Sequence, residues 1–475
     1  MQFTSTSFFV FFAVVLALHR LPLSWTWRKF NLLWLSYLFY AAWNPPFVVL
    51  LWVSTVVDWF LARAIHRSES PGRRKVLLVA SLLVNLGMLG YFKYAGFLLE
   101  NTVALFQSLG IGWEPPALDI VLPIGISFYT FQTLSYTLDV YKGRLKPWDR
   151  FIDYALFVTF FPQLVAGPIV RARQFLPQCR SPRRVDVHDL GLGAGLFVAG
   201  LFQKVVLADA LLAPSVEAVF DVDLPARALD AWVGCFAFVT EIFCDFAGYS
   251  LCAIGVARML GFELPLNFRH PLAAIGFTDF WQRWHISLST WIRDYVYASI
   301  RGTGKTSFNR FAVSIMLTWS LIGLWHGAQW GFVIWGAYSG LFLIAERVAR
   351  NVAPTSALWA TTPCQFVFAA FQFTVFASSG LPFRGANDPE RMTELFWSLV
   401  GQGAAAEGLL NSATIELTVA VVIAVFLYHW FMRRHSFERL AISCPWYLRS
   451  ILLAAMLVLI VISQGRDRAF LYFQF

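Results

Sequence analysis

Two histidines stand where an imidazole is costly to keep unless it is used. His326 lies in Gly323-Leu324-Trp325-His326-Gly327-Ala328, between two long apolar runs. An ionisable side chain at such a place is usually functional. Histidine is also the side chain best suited to moving protons near neutral pH. Gly327 beside it leaves room for a backbone or a substrate to come close. His285 lies in Phe280-Trp281-Gln282-Arg283-Trp284-His285-Ile286-Ser287-Leu288-Ser289, a stretch dense in tryptophan and arginine. For either histidine the alternative is a hydrogen-bonded core residue.

A second polar set lies in an apolar helix. Glu241, Asp245 and Tyr249 recur at i, i+4 and i+8, which places them on one face. Buried carboxylates need partners, and Arg269, Arg283 or Arg293 from the following segment are the expected ones. Lys204 and Asp209 read as snorkelling to opposite interfaces, whereas Asp58 has no visible role. Gly167-Pro168 reads as a re-entrant turn with Arg171 and Arg173 beneath it. No G-x-x-x-x-G-K-[ST], H-E-x-x-H or G-x-S-x-G motif occurs, and no metal-spaced cysteine–histidine cluster. The faint likeness of Gly302-Thr303-Gly304-Lys305-Thr306 to a phosphate loop lacks the first glycine. The six cysteines form no C-x-x-C pair and read as small buried hydrophobes.

The elements that hold these residues are membrane helices. Of the 475 residues 58% are hydrophobic and 14% charged, and the mean hydropathy is +0.60. A soluble domain is about a quarter charged. Apolar runs recur at about 6–19, 31–43, 47–65, 76–92, 120–138, 152–167, 190–207, 229–256, 311–325, 328–346, 364–380, 414–431 and 449–463. Some are too short to cross alone, so about eleven crossings plus re-entrant segments are expected. The fold class is all-α and polytopic, a single membrane domain over 1–475. Within it, 258–310 reads as a membrane-dipping segment carrying His285, and 311–346 as a helical hairpin carrying His326. Met1–Ser7 lacks a basic n-region, so Phe8–Leu18 reads as a retained first span. Basic residues cluster in alternate loops: Arg20, Arg28 and Lys29; Arg63, Arg67, Arg73, Arg74 and Lys75; Lys142, Arg144, Lys146 and Arg150. That alternation places the N-terminus outside. The net charge of +9 is spread over such loops, which suits anionic membrane lipid and excludes a nucleic-acid surface.

With these residues in view, the sequence resembles the membrane-bound O-acyltransferases. The nearest branch is that of alginate O-acetylation, related to D-alanyl-teichoic acid and peptidoglycan O-acetylation proteins. The resemblance rests on Gly90-Tyr91-Phe92-Lys93-Tyr94, on Leu122 to Phe131, and on Ala166-Gly167-Pro168. It also rests on Asp245-Phe246-Ala247-Gly248-Tyr249-Ser250, both histidine motifs and Phe470 to Phe475. It departs at Leu251, where the branch carries aspartate, at Ala247, where it carries serine, and at Arg301 to Lys305, where it carries Gly-Gly-Asn-Arg.

The resemblance implies a many-helix body around a cytoplasmic funnel. It implies His326 as the catalytic residue and His285 in the same chamber. The donor would be an acyl thioester, acetyl-CoA or a phosphopantetheinyl carrier, with no permanently bound cofactor and no metal. The partners would be membrane lipid, an acyl carrier protein, an extracytoplasmic acetyltransferase and, through it, a polysaccharide. The site would be the bacterial inner membrane. On this reading His326 is the general base. Arg283, Trp281, Trp284, Trp325, Gly327, Ser287, Arg293, Asp245 and Tyr249 are candidate substrate contacts. Peptidoglycan or teichoic-acid acylation stays open, as does a transporter or export subunit without chemistry.

Overall fold

In a computed structural model the described residues are 1–116, 118–302, 304, 307–353, 361–403, 407–435, 443–463, 468 and 470–471. Thr303, Lys305 and Thr306 of the phosphate-loop-like stretch, and Tyr472 to Phe475 of the terminal motif, lie outside them. Among the described residues every regular element is a helix. Eight helical segments have the length and hydropathy of a membrane span, and Thr6–Arg20 is a shorter apolar helix. Other apolar runs fold as shorter helices: Trp25–Ala41, with 17 residues, is at the lower limit of the roughly 17–25 that cross a bilayer, and Ile126–Tyr141, with 16, and Phe151–Thr159, with nine, fall below it.

The chain divides into two compact units. The first comprises Met1–Phe197 with Cys252–Pro265, the second Val198–Leu251 with Leu266–Phe475. In the first, helix starts follow local chemistry. Ser5 caps Thr6–Arg20 by accepting from Phe8 N–H at 3.2 Å, and Ser70 precedes a proline at the start of Pro71–Leu89. Gly125 opens Ile126–Tyr141 at φ +76°, and a Cβ there would lie 2.8 Å from the Leu164 carbonyl. Both facts require glycine. Asp58 finds its role here. Its carboxylate accepts from Ser81 and from Asn85 Nδ2 at 2.8 Å, while Ser54 donates to Asn85 at 2.6 Å. Ser54 also lies 3.1 Å from Thr133 Oγ1 on Ile126–Tyr141, so three helices are joined through polar groups that lipid would not satisfy.

The second unit holds both histidines. The segment expected to dip into the membrane is broken into short helices, Phe277–Trp281, Ile286–Ile292 and Ala298–Arg301. Phe308–His326 and Trp330–Val352 form the expected hairpin. They approach at small residues: a Cβ on Gly323 would meet the Phe332 carbonyl at 2.0 Å, and one on Gly336 the Trp319 carbonyl at 2.1 Å. Only glycine admits backbones this close, the usual device of membrane helix pairs.

Candidate active site

His326 is the last residue of Phe308–His326, at the turn of that hairpin. Its ring is buried among Trp325, Trp335 and Phe383, with centroids 4.9, 5.0 and 5.3 Å away. The space beside Gly327 is taken by the Phe332 ring, where a Cβ would clash at 2.0 Å. Gly327 therefore serves packing, and its N–H points back to Gly323 O at 3.4 Å. On its open side His326 walls a cavity of about 20 Å³, shared with Phe238, Ile242, Trp284, Phe376 and Gly380. That is room for about one water molecule.

His285 is held by different means. It sits at φ +44°, ψ +52°, the left-handed region, as the cap of Ile286–Ile292. A non-glycine residue there is strained, and such strain concentrates at functional sites. Asn267 fixes the ring. Its Oδ1 lies 3.0 Å from His285 Nδ1 and accepts from Ser287 Oγ at 2.9 Å. Its Nδ2 donates to Ser250 Oγ at 3.2 Å, and its carbonyl accepts from Ile286 N–H at 2.8 Å. An oxygen that already accepts from a hydroxyl is met by an N–H, so Nδ1 carries the proton and Nε2 is the ring's acceptor. Burial lowers the His285 pKa to about 3, which keeps the ring neutral. Phe246 packs edge-on at 4.7 Å.

Trp325 links the two histidines, its ring 6.1 Å from His285 and 4.9 Å from His326. Trp281 lies against Trp319 at 4.2 Å and Trp335 at 5.9 Å, and Trp284 against Phe280 at 5.4 Å and Phe376 at 5.2 Å. Trp281 and Trp284 are thus packed among other aromatic rings beside the two histidines. Ser287 belongs to the Asn267 network and not to an open surface.

The charged candidates are placed otherwise. Arg283 donates to Asp279 at 2.7 Å and to the Arg269 and Arg433 carbonyls, both at 3.3 Å. Arg293 pairs with Asp294 at 2.9 Å and is exposed. Neither pairs with Glu241 or Asp245 as expected. The partner of Asp245 is Lys204, at 2.5 Å, and Lys204 also holds Asp209 at 2.9 Å. Lys204 and Asp209 therefore do not reach opposite interfaces. The reason is the π-helical turn Phe202–Leu212, whose i→i+5 register brings residues five apart together. The second Asp245 oxygen accepts from Leu471 N–H at 3.0 Å. Tyr249 packs on Phe470 at 4.8 Å. Asp245 and Tyr249 thus hold Leu471 and Phe470. Sequence reasoning missed Asn267, which sits in an irregular turn with no periodicity to single it out.

The sequence profile of the MBOAT, membrane-bound O-acyltransferase family, matches residues 148–381, a range that contains both histidines. The chain is 37% identical to "Probable alginate O-acetylase AlgI" of Azotobacter vinelandii, over 90% of this chain and 85% of that protein. It is 34% identical to "Peptidoglycan O-acetyltransferase" of Helicobacter pylori, over 67% of this chain and 64% of that one. It is 30% identical to "Teichoic acid D-alanyltransferase" of Bacillus subtilis, over 56% and 71%.

Proposed function

The chain belongs to the membrane-bound O-acyltransferase family and is a multi-pass membrane acyltransferase, and from that premise we propose that it takes an acetyl group from a cytoplasmic thioester and passes it across the membrane for O-acetylation of an exopolysaccharide such as alginate. The observation that carries the reading is the small cavity walled by His326. A one-water space suits the methyl of an acetyl group better than a long acyl chain. The acceptor class comes from the likeness to the alginate O-acetylase, which extends over most of both chains. An extracytoplasmic acetyltransferase would receive the group, in the bacterial inner membrane. The donor is acetyl-CoA or an acetylated phosphopantetheinyl carrier.

His326 is the proposed general base. As the acceptor hydroxyl attacks the thioester carbonyl, the imidazole takes its proton, and the C–O bond forms as the carbonyl becomes an oxyanion. Collapse breaks the C–S bond, and the leaving thiolate regains the proton from the imidazolium. A thioester is already activated, so no acyl-enzyme is needed. His285 is the proposed positioning partner. Because Asn267 holds its Nδ1–H, Nε2 is suited to accept from a hydroxyl rather than to donate to the oxyanion. Trp281, Trp284 and Trp325 exclude water that would hydrolyse the donor.

The test offers the purified protein radiolabelled acetyl-CoA and acetyl-carrier in turn, beside palmitoyl-CoA, and follows acyl esters on alginate and on peptidoglycan fragments with the partner protein present. Acetyl transfer to alginate is expected. Palmitoyl transfer at a comparable rate contradicts the acyl size, and ester only on peptidoglycan contradicts the acceptor.

A further inference from the structure

The first unit carries a basic cup made of residues outside the histidine cluster. Arg63, His66 and Arg67 end the Val48–Arg67 helix. Lys146 lies on the loop before Phe151, and Arg180 follows the turn Leu176–Cys179. With Asp149 they line a cavity of about 400 Å³, within the roughly 300–1,000 Å³ of ligand pockets. Four lysine or arginine side chains thus face one hollow with a single carboxylate.

These cations are not a loose surface run. Arg63 Nη2 donates to the carbonyls of Trp148 at 3.0 Å and Asp149 at 2.9 Å, and its guanidinium lies 4.0 Å over the Trp59 ring. Its Nε is buried and makes no hydrogen bond among the described residues. Trp148 is pinned in turn. Its N–H donates to Tyr136 Oη at 3.0 Å, and its indole N–H to Asp153 at 2.9 Å. Asp153 forms a buried ion pair with Lys29. The Arg180 guanidinium lies 4.8 Å over the Trp148 ring. The floor is therefore tied to the core of the unit, and Arg63 and Arg180 are held in place before any ligand arrives. Like charges held together repel, and an anion between them relieves that repulsion. Guanidinium forks match phosphate oxygens in shape as well as charge.

We propose that this cup binds a phosphate ester, as an anionic lipid headgroup or as a soluble phosphate ester. The site is independent of the acyl-transfer reading, since none of its residues belongs to the histidine cluster.

The full chain is purified in detergent and offered two probes. Phosphatidylglycerol retention is read by native mass spectrometry, and 3′,5′-ADP binding by calorimetry. Arg67→Gln with Arg180→Gln removes two exposed cup cations. Arg173→Gln with Arg184→Gln removes two exposed charges elsewhere and serves as control. The cup variant is expected to bind one or both probes roughly 30-fold more weakly, the loss of two basic contacts of ordinary strength, with the control unchanged. A loss confined to the lipid identifies a headgroup site, and one confined to 3′,5′-ADP a soluble-ester site. Absence of binding by both probes overturns the proposal, as does binding by the cup variant as tight as wild type's, or an equal loss in cup variant and control.

Discussion

At the residue scale the account turns on how two imidazoles are held. His326 is held by aromatic rings on a helix end, and His285 by one amide oxygen. Asn267→Ala removes that oxygen and lets the His285 tautomer equilibrate. Transfer is expected to fall roughly 10–100-fold, as when partners that orient metal-binding histidines are removed. Asn267→Asp keeps an accepting oxygen and should recover part of it. Steady-state transfer rates check both, and an unaltered rate in Asn267→Ala removes Asn267 from the site. Both histidines were legible in the sequence because an imidazole among apolar residues is conspicuous. Asn267 was not, because asparagine in a turn is ordinary and its contact lies 18 positions away.

At the element scale the decisive departures are from α-periodicity. Residues five apart on an α-helix point well away from each other, which fits the expectation that Lys204 and Asp209 snorkel to opposite interfaces. The π-turn Phe202–Leu212 brings them together and delivers Lys204 to Asp245. Nothing in composition marks such a turn. Lys204→Met leaves two carboxylates without their counter-charge. Breaking a buried pair in this way costs about 3–5 kcal/mol, so the thermal midpoint in detergent should drop sharply. Lys204→Met combined with Asp245→Asn should recover much of that loss. No drop in the single variant would show that the pair is dispensable. The hairpin was legible as two apolar runs with glycines between, but the close contact at Gly323 and Gly336 needed the structure. Gly336→Ala would press a methyl onto the Trp319 carbonyl. It is expected to lower stability by about 1–3 kcal/mol and to reduce transfer by displacing His326, which stability and rate measured on one preparation would show.

At the scale of the whole molecule, hydropathy made the membrane class plain, and the helices agree with it. The number of crossings was less legible. Short apolar runs look alike whether they span, re-enter or pack against protein, and helices such as Phe151–Thr159 are too short to settle into the first class. The basic loops give an expected orientation, with the N-terminus outside. The structure draws two of these together, with Arg63 bonded to the Trp148–Asp149 carbonyls and Arg74 to the Tyr141 carbonyl at 2.6 Å. In a cysteine-free background, Arg144→Cys is expected to react with an impermeant thiol reagent only from the cytoplasmic side, and Glu114→Cys only from outside. Reversed labelling would invert the topology and place the thioester on the wrong face.

The central claim is that His326 is the base. The measurement that tests it most directly is acetyl transfer from radiolabelled donor by wild type, His326→Ala and His285→Ala, each verified as folded by its thermal midpoint. His326→Ala is expected to lose about 10²–10⁴-fold in rate, the usual contribution of a general base, at an unchanged midpoint. Unimpaired transfer by a folded His326→Ala protein would contradict it.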